Sequence, residues 1–230
     1  MVTNWLSLTQ NTLGVNRVDA LSPEAVKAQI QAVVTDIDVQ ATKTGMLLNQ
    51  EIILAVAEEI EALNLKQLAI DPVMVSRAGV LLIDDLAVAA LKNVLLPKAT
   101  VVTPNIYEAE IFTGLEINNL DDMQMAAQEI HRLGAKTVLV KGGAMNNELR
   151  GVDVWFDGGQ FEILRTATVE TNNTHGTGCT LSAAIAANLA QGKDLFSAVK
   201  LAKDYVTNAL GYALDIGHGQ GPVGHFFPLL

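Results

Sequence analysis

The 230 residues include one cysteine, few aromatics (5%) and no apolar run long enough to span a membrane. Each scarcity removes a class of protein. A lone cysteine, Cys179, cannot close an internal disulfide, so no cross-linked scaffold is expected and a reducing cytosol is compatible with the chain. Apolar stretches are broken by polar residues well short of about 20 residues, and no signal-peptide pattern is present, which predicts no membrane partner. Basic residues are outnumbered 15 to 25, and the formal charge of −10 argues against general nucleic-acid binding. Low-complexity segments and fixed-period repeats are missing as well. What remains is half hydrophobic: a cytoplasmic globular chain, long enough to bury a large core, organised as a single α/β domain over residues 1–230.

Strands and helices take turns along it. Ser22 and Pro23 suit the N-cap and first position of a helix reaching about Val34. VQATKT (39–44) reads as a strand. Asn49 then caps a helix in which Ile52, Ile53, Val56, Ile60 and Leu63 keep helical spacing. QLAID (67–71) is a short buried strand, a helix follows from Asp84 to Leu95, and ATVVT (99–103) is a strand stopped by Pro104. Asp121 with Gln124 resembles a capping box opening a helix that Gly134 ends. TVLVK (137–141) is the next strand, and VDVWF (152–156) and FEILR (161–165) flank a Gly-containing hairpin turn. Helices over about 178–190 and 194–214 close the chain. This alternation predicts parallel βαβ units in a layered sheet.

Three strands run straight into polar, turn-forming residues: AID71-P72, VVT103-P104-N105 and VLVK141-G142-G143. Ligands of open parallel sheets sit just beyond the carboxyl ends of the strands, so Asp71, Asn105 and Lys141 are expected to face one cleft. Taken singly, each is explained by ordinary turn chemistry; the coincidence of three favours a site. Asn105 and Glu108 lie three apart at a helix start and can share a side. An amide oxygen and a carboxylate suit Mg²⁺, with Asp71 joining them or holding the ion's water shell. Lys141, followed by two glycines that admit a ligand to the backbone, suits a phosphate oxygen.

The stretch NTHGTGCTLSAA (173–184) places Gly176, Thr177, Gly178 and Cys179 before the strong helix former LSAAIAANLA. Small residues leave backbone N–H groups free at a helix N-terminus, which makes an anion site. A cysteine there has its thiolate favoured, so its pKa is expected to fall. The competing reading is a buried structural cysteine.

Together NTHGTGCTLSAA, DPVMVSRAG (71–79), VTPNIYEAE (102–110), KTGML (43–47), VLVKGG (138–143) and QNTLGV (10–15) resemble the hydroxymethylpyrimidine/phosphomethylpyrimidine kinases of thiamine biosynthesis. The resemblance covers the chain from Gln10 to the terminal GQGPVGHFFPLL. It implies a ribokinase-like, three-layer α-β-α fold with a mostly parallel sheet. It also implies ATP and Mg²⁺ as cofactors, and phosphorylation first of 4-amino-5-hydroxymethyl-2-methylpyrimidine and then of its monophosphate. By the same resemblance, Gly176, Thr177, Gly178 and Cys179 would form the catalytic anion hole, with Cys179 where most of the wider superfamily has an aspartate base. Lys141, Asn105, Thr103 and Gly142 would hold the nucleotide; Asp71, Asn105 and Glu108 the metal; Gln10, Met46 and Val73 the pyrimidine. Related kinases are commonly dimers, which implies a homodimer. The resemblance departs at the start. Family members usually carry a strand, a glycine-rich G-S-D-S-x-G-G-A-G-I-Q-A-D segment and a helix before Q-N-T, whereas nine residues precede Gln10 here. The expectation is an N-terminally shortened kinase with exposed apolar surface. Its alternatives are a pyridoxal-type vitamin kinase, which shares the fold, and a catalytically impaired nucleotide-binding chain.

Other motifs weigh less. Gly219-Gln-Gly221-Pro-Val-Gly224 satisfies G-x-G-x-x-G, but no strand clearly leads into it and Pro222 interrupts it, so it fails as a dinucleotide fingerprint. No P-loop signature occurs. His175, His218 and His225 show no metal-ligand spacing with Cys179.

Overall fold

A computed structural model describes residues 3–74, 82–143, 145 and 149–230; VSRAG (75–79) of the DPVMVSRAG stretch lies outside them. Strands β1 (Leu6–Asn11) and β2 (Gly14–Ala20) pair antiparallel as a separate two-stranded sheet. The sequence reading assigned no strand here. Its signals are the alternation of Leu6 and Leu8 with polar residues, and an asparagine at the turn. The Asn11 side chain accepts from the N–H groups of Leu13 and Gly14 and closes that turn.

Among the described residues the main sheet has six strands in chain order: β3 (Thr42–Thr44), β4 (Leu68–Ile70), β5 (Val101–Val102), β6 (Val138–Lys141), β7 (Val152–Phe156) and β8 (Phe161–Arg165). The first four are mutually parallel; β7 runs antiparallel to both neighbours, which turns β8 back into the common direction. Helix α1 (Pro23–Val34) precedes β3, and its N-cap Ser22 accepts from Ala25 N–H. Helix α2 (Gln50–Ala62), capped by Asn49, links β3 to β4; α3 (Asp85–Ala90) links β4 to β5; α4 (Ile106–Thr113) and α5 (Leu120–Arg132) link β5 to β6. Helices α6 (Thr177–Ala190) and α7 (Leu195–Gly211) follow β8.

Side-chain alternation along the strands divides the core into two faces. Leu68, Ile70, Val102, Val138, Val140 and Val154 pack with α1 through α5, while Ala69, Val101, Leu139 and Trp155 pack with α6 and α7. The result is helix, sheet, helix: the three layers expected. Each fully buried Leu, Ile or Val contributes roughly 1.5–3 kcal/mol.

Several boundaries differ from the sequence reading, the 99–103 strand for one shrinking to Val101–Val102, and three of the differences are instructive. The 39–44 strand shrinks to three residues. The helix from Asp84 is α-helical only to Ala90, then widens into a π turn over Leu91–Leu95 and a 3-10 turn over Leu96–Lys98. Pro97 explains it, because it has no N–H to donate and its ring crowds the preceding turn. Helix α5 begins earlier than Asp121. Its cap is Asn119, in extended conformation and accepting from Asp122 N–H, and the two aspartates form the first turn, where the helix dipole favours negative charge.

The parallel register aligns the strand ends. Thr44 pairs with Ile70 and Ile70 with Val102, and beyond the last paired residues Asn105 bridges Lys141. Asp71, Thr103, Asn105 and Lys141 therefore emerge along one edge of the sheet.

Candidate active site

At that edge Lys141 Nζ donates to Asp71 Oδ1 at 3.0 Å. Lys43 Nζ stands 4.0 Å from Asp71 Oδ2, and Ser182 Oγ lies 3.3 Å from the same oxygen. Asp71 is 2% exposed. Burial pushes its carboxyl up, but Lys141 and Lys43 outweigh that and hold it below its ordinary value. Burial equally pulls the Lys141 ammonium down, and Asp71 and Glu108 outweigh it, leaving its pKa raised. The pair is therefore ionised at neutral pH despite its burial.

Glu108 is enclosed as well. It caps α4 reciprocally with Asn105: Glu108 N–H donates to Asn105 Oδ1 at 2.9 Å, and Asn105 N–H donates to Glu108 Oε2 at 2.8 Å. Burial pushes its carboxyl up to about 7; Lys141 opposes the shift and Asp71 adds to it. One oxygen of each residue is thus committed to holding the helix start. Among the described residues no three His, Cys, Asp or Glu side chains converge as a ready-made metal site.

The third component is the start of α6. Gly176 is its N-cap at φ +91°, a left-handed conformation that glycine adopts without steric cost, and no side chain caps the helix. Thr177 N–H donates to Thr174 O at 3.4 Å, and the N–H groups of Gly178 and Cys179, in the first turn, have no acceptor within the helix. A Cβ placed on Gly178 would lie 3.3 Å from Lys141 Nζ and 4.0 Å from Asp71 Oδ2, so the turn sits directly on the charged pair. Cys179 is exposed at the rim. Its thiol is pushed up, first by burial of the sulfur's surroundings and then by the negative charge of the Asp71 carboxylate. The expectation of a favoured thiolate is thereby corrected: the neighbouring carboxylate and desolvation prevail over the two lysines.

Residues 3–224 match the family described as phosphomethylpyrimidine kinase. The chain belongs to that family. It is 54% identical over 220 residues to the hydroxymethylpyrimidine/phosphomethylpyrimidine kinase of Synechococcus elongatus, covering 96% of this chain and 83% of that one. Among solved structures it is similar to the phosphomethylpyrimidine kinase of Clostridium difficile, at 40% identity and a TM-score of 0.79, with 90% of this chain and 84% of that one covered. It is also similar to an ADP complex of Bacillus subtilis pyridoxal kinase, at 36% identity and a TM-score of 0.89, covering 98% and 85%. The chain is thus a phosphotransferase of ribokinase-like fold.

Of the residues singled out for phosphomethylpyrimidine kinase chemistry, Asp71, Lys141, Gly178 and Cys179 come together directly, and Asn105 and Glu108 stand beside Lys141. Gly176 and Thr177 open the same turn. Thr103 is fully buried at the end of β5, its hydroxyl 3.4 Å from the Ile70 carbonyl. Gly142 needs a different explanation from the one proposed for it. Its N–H already points at Val152 O and Asp153 Oδ1, and a Cβ there would lie 2.5 Å from Val152 O and 2.7 Å from Leu149 O. Internal packing, not approach of a ligand, requires that glycine; Gly143 is the one facing open space. Met46 and Val73 are half-buried just past β3 and β4, with Trp5 Nε1 donating to Met46 O at 2.5 Å. Gln10 is exposed on β1, and among the described residues no hydrogen bond ties its side chain to the cluster. Sequence reasoning missed Lys43 and Ser182 as site residues. Lys43 obeys the same strand-end rule that found Asp71 and Lys141. Ser182 lies four residues beyond Gly178, on the helix face that looks back at the loop.

Proposed function

We propose that the chain transfers the γ-phosphoryl group of Mg-ATP to the hydroxymethyl oxygen of 4-amino-5-hydroxymethyl-2-methylpyrimidine, and then to the resulting monophosphate. The observation that carries this is the uncapped N-terminus of α6 seated on the ionised Asp71–Lys141 pair. First-turn N–H groups and an ammonium converge where a transferring phosphoryl group gathers negative charge. Lys141, held in place by Asp71, would contact phosphate oxygens, and the N–H groups of Gly178 and Cys179 would accept the charge that develops. Cys179, retained as a thiol, would stand beside the acceptor hydroxyl as a neutral hydrogen-bonding neighbour. Rate enhancement would then come from positioning and charge stabilisation. Magnesium, when bound, neutralises phosphate charge. Asp71 and Glu108 would supply carboxylate oxygens to hold it, while Asn105 keeps its capping role. Thr103, at the same sheet edge, is assigned to the nucleotide side; Gln10, Met46 and Val73 are assigned to the pyrimidine side.

The test is ADP release with Mg-ATP and, in turn, the hydroxymethylpyrimidine, its monophosphate and pyridoxal, beside a Cys179→Ala control. Pyrimidine-dependent release is the expected result; release only with pyridoxal would overturn the acceptor assignment. Pyridoxal is the second reading because the backbone fits the pyridoxal kinase at a TM-score of 0.89 against 0.79 for the phosphomethylpyrimidine kinase. A homodimer is the assembly we propose, supported by the exposed apolar Leu13 (69%) and Val15 (40%) on the small sheet. Light scattering giving the monomer mass at micromolar concentration would refute it.

A further inference from the structure

The stretch that fails as a dinucleotide fingerprint, Gly219 to Gly224, has a defined place in the fold. It is a strap that runs between two segments far apart in the chain. At one end, His218 and Gly219 N–H both donate to Thr12 Oγ1 at 3.2 Å, and Gln220 N–H donates to the Thr12 carbonyl at 3.0 Å. Thr12 is in the turn between β1 and β2. At the other end, Gly221 N–H donates to Asn173 Oδ1 at 2.9 Å, His175 N–H to Gly221 O at 3.1 Å, and Val223 N–H to His175 O at 3.2 Å. His175 immediately precedes Gly176, the left-handed cap of α6.

The glycine spacing follows from those approaches. A Cβ on Gly219 would overlap the Thr12 carbonyl, one on Gly221 the Leu214 carbonyl, and one on Gly224 the Tyr212 carbonyl. All three obstacles are backbone atoms, which cannot swing aside. Pro222 fits between them because its missing N–H is not needed; its carbonyl accepts from Leu214 N–H instead. Strap and anion loop form a short parallel bridge, His175 with Pro222. Within the loop, Thr180 Oγ1 donates to Gly176 O at 2.8 Å and Thr177 N–H to Thr174 O at 3.4 Å; the strap ties that unit to the rest of the fold.

We propose that this strap positions the anion loop for phosphoryl transfer. Held at His175 by the strap, and with the strap anchored at Thr12, the first N–H groups of α6 keep their place relative to Lys141. A displacement of about 1 Å at such a site can cost about a hundredfold in rate. Thr12 and Asn173 are accordingly positioning residues, remote from the reacting atoms. The rate effect rests on the kinase reading above; the structural effect does not.

The experiment compares the full chain with Asn173→Ala, Thr12→Val and Thr12→Ser, reading kcat, KM for ATP, thermal midpoint and amide hydrogen exchange over residues 175–180. Asn173→Ala and Thr12→Val should each lower kcat at least tenfold with KM for ATP within threefold, and speed exchange over 175–180 at least tenfold. Thr12→Ser, which keeps the accepting oxygen, should stay within twofold of the parent in both. Unchanged exchange over 175–180 in Asn173→Ala would overturn the proposal, as would equal losses in Thr12→Ser and Thr12→Val. If the parent chain turns over no acceptor, the kinase reading fails while the exchange comparison still decides the strap.

Discussion

Lys141 joins stability to chemistry, because its partner Asp71 is 2% exposed and would be left buried without its nearest cation. Breaking a buried pair from one side costs about 3–5 kcal/mol. With Lys43 still 4.0 Å away, Lys141→Met should fall near the low end, measured as a shift in urea midpoint, and kcat should drop at least a hundredfold. Glu108 makes stability depend on pH. Its folded pKa of about 7 lies above its ordinary 4.5, so the folded state holds the proton more tightly. The contribution is whole below about 4.5 and is lost as pH rises through 7, a span worth about 3 kcal/mol. In metal-free protein, Glu108→Gln should flatten the decline between pH 5 and pH 8. Because burial and Asp71 raise the Cys179 thiol, iodoacetamide should alkylate it more slowly at pH 7.5 than it does a free cysteine, with the rate still climbing above pH 9. A rate at pH 7.5 above that of a free thiol would restore the thiolate reading. At this scale strand-end position revealed Asp71 and Lys141, because turn-forming residues mark where a parallel strand opens to its ligand edge. Ser182 and the carboxylate beside Cys179 were illegible, since both depend on which helix face the fold brings round.

Helices were the most legible elements, and their errors have local causes. Helix α2 shows its cap and its apolar spacing in the sequence, and both hold in the fold. Helix α5 was started at the wrong residue because Asp121 and Gln124 carry the spacing of a capping box, whereas Asn119 carries the geometry. The two assignments predict different mutants. Asn119→Ala should cost about 1 kcal/mol in the urea midpoint, and Asp121→Ala only a few tenths, through the helix dipole. Strands were harder. Residues Val39 to Ala41 are as apolar as their successors, yet only Thr42–Thr44 find a partner in β4, and pairing is a tertiary fact. The hairpin of β1 and β2 went unread because a mostly exposed sheet leaves only a short apolar alternation, Leu6 and Leu8.

For the whole molecule, exposure is unequal, and so is resistance to opening. The central strands β4, β5 and β6 lie between two helical layers, whereas the hairpin is tied to the rest chiefly by Asn4 to Gln29, Trp5 to Met46 and Thr12 to the 218–220 segment. Two-stranded sheets are marginal alone, so amides of residues 6–20 should exchange at least a hundredfold faster than those of 68–70 and 138–141. Comparable protection in the two sets would mean that the hairpin is covered in solution, as the proposed dimer would cover it. The chain-order arrangement of the six strands also bears on synthesis. Each strand from β4 onward docks on the edge its predecessor has just exposed, so the sheet grows at a single front as the polypeptide leaves the ribosome. The charged pair can be in place once β6 has emerged. The turn at Gly176–Cys179 comes more than thirty residues later, and the Gly219–Gly224 segment later still. The six strands and the helices between them can therefore be in place before the segments that complete the sheet edge have been made.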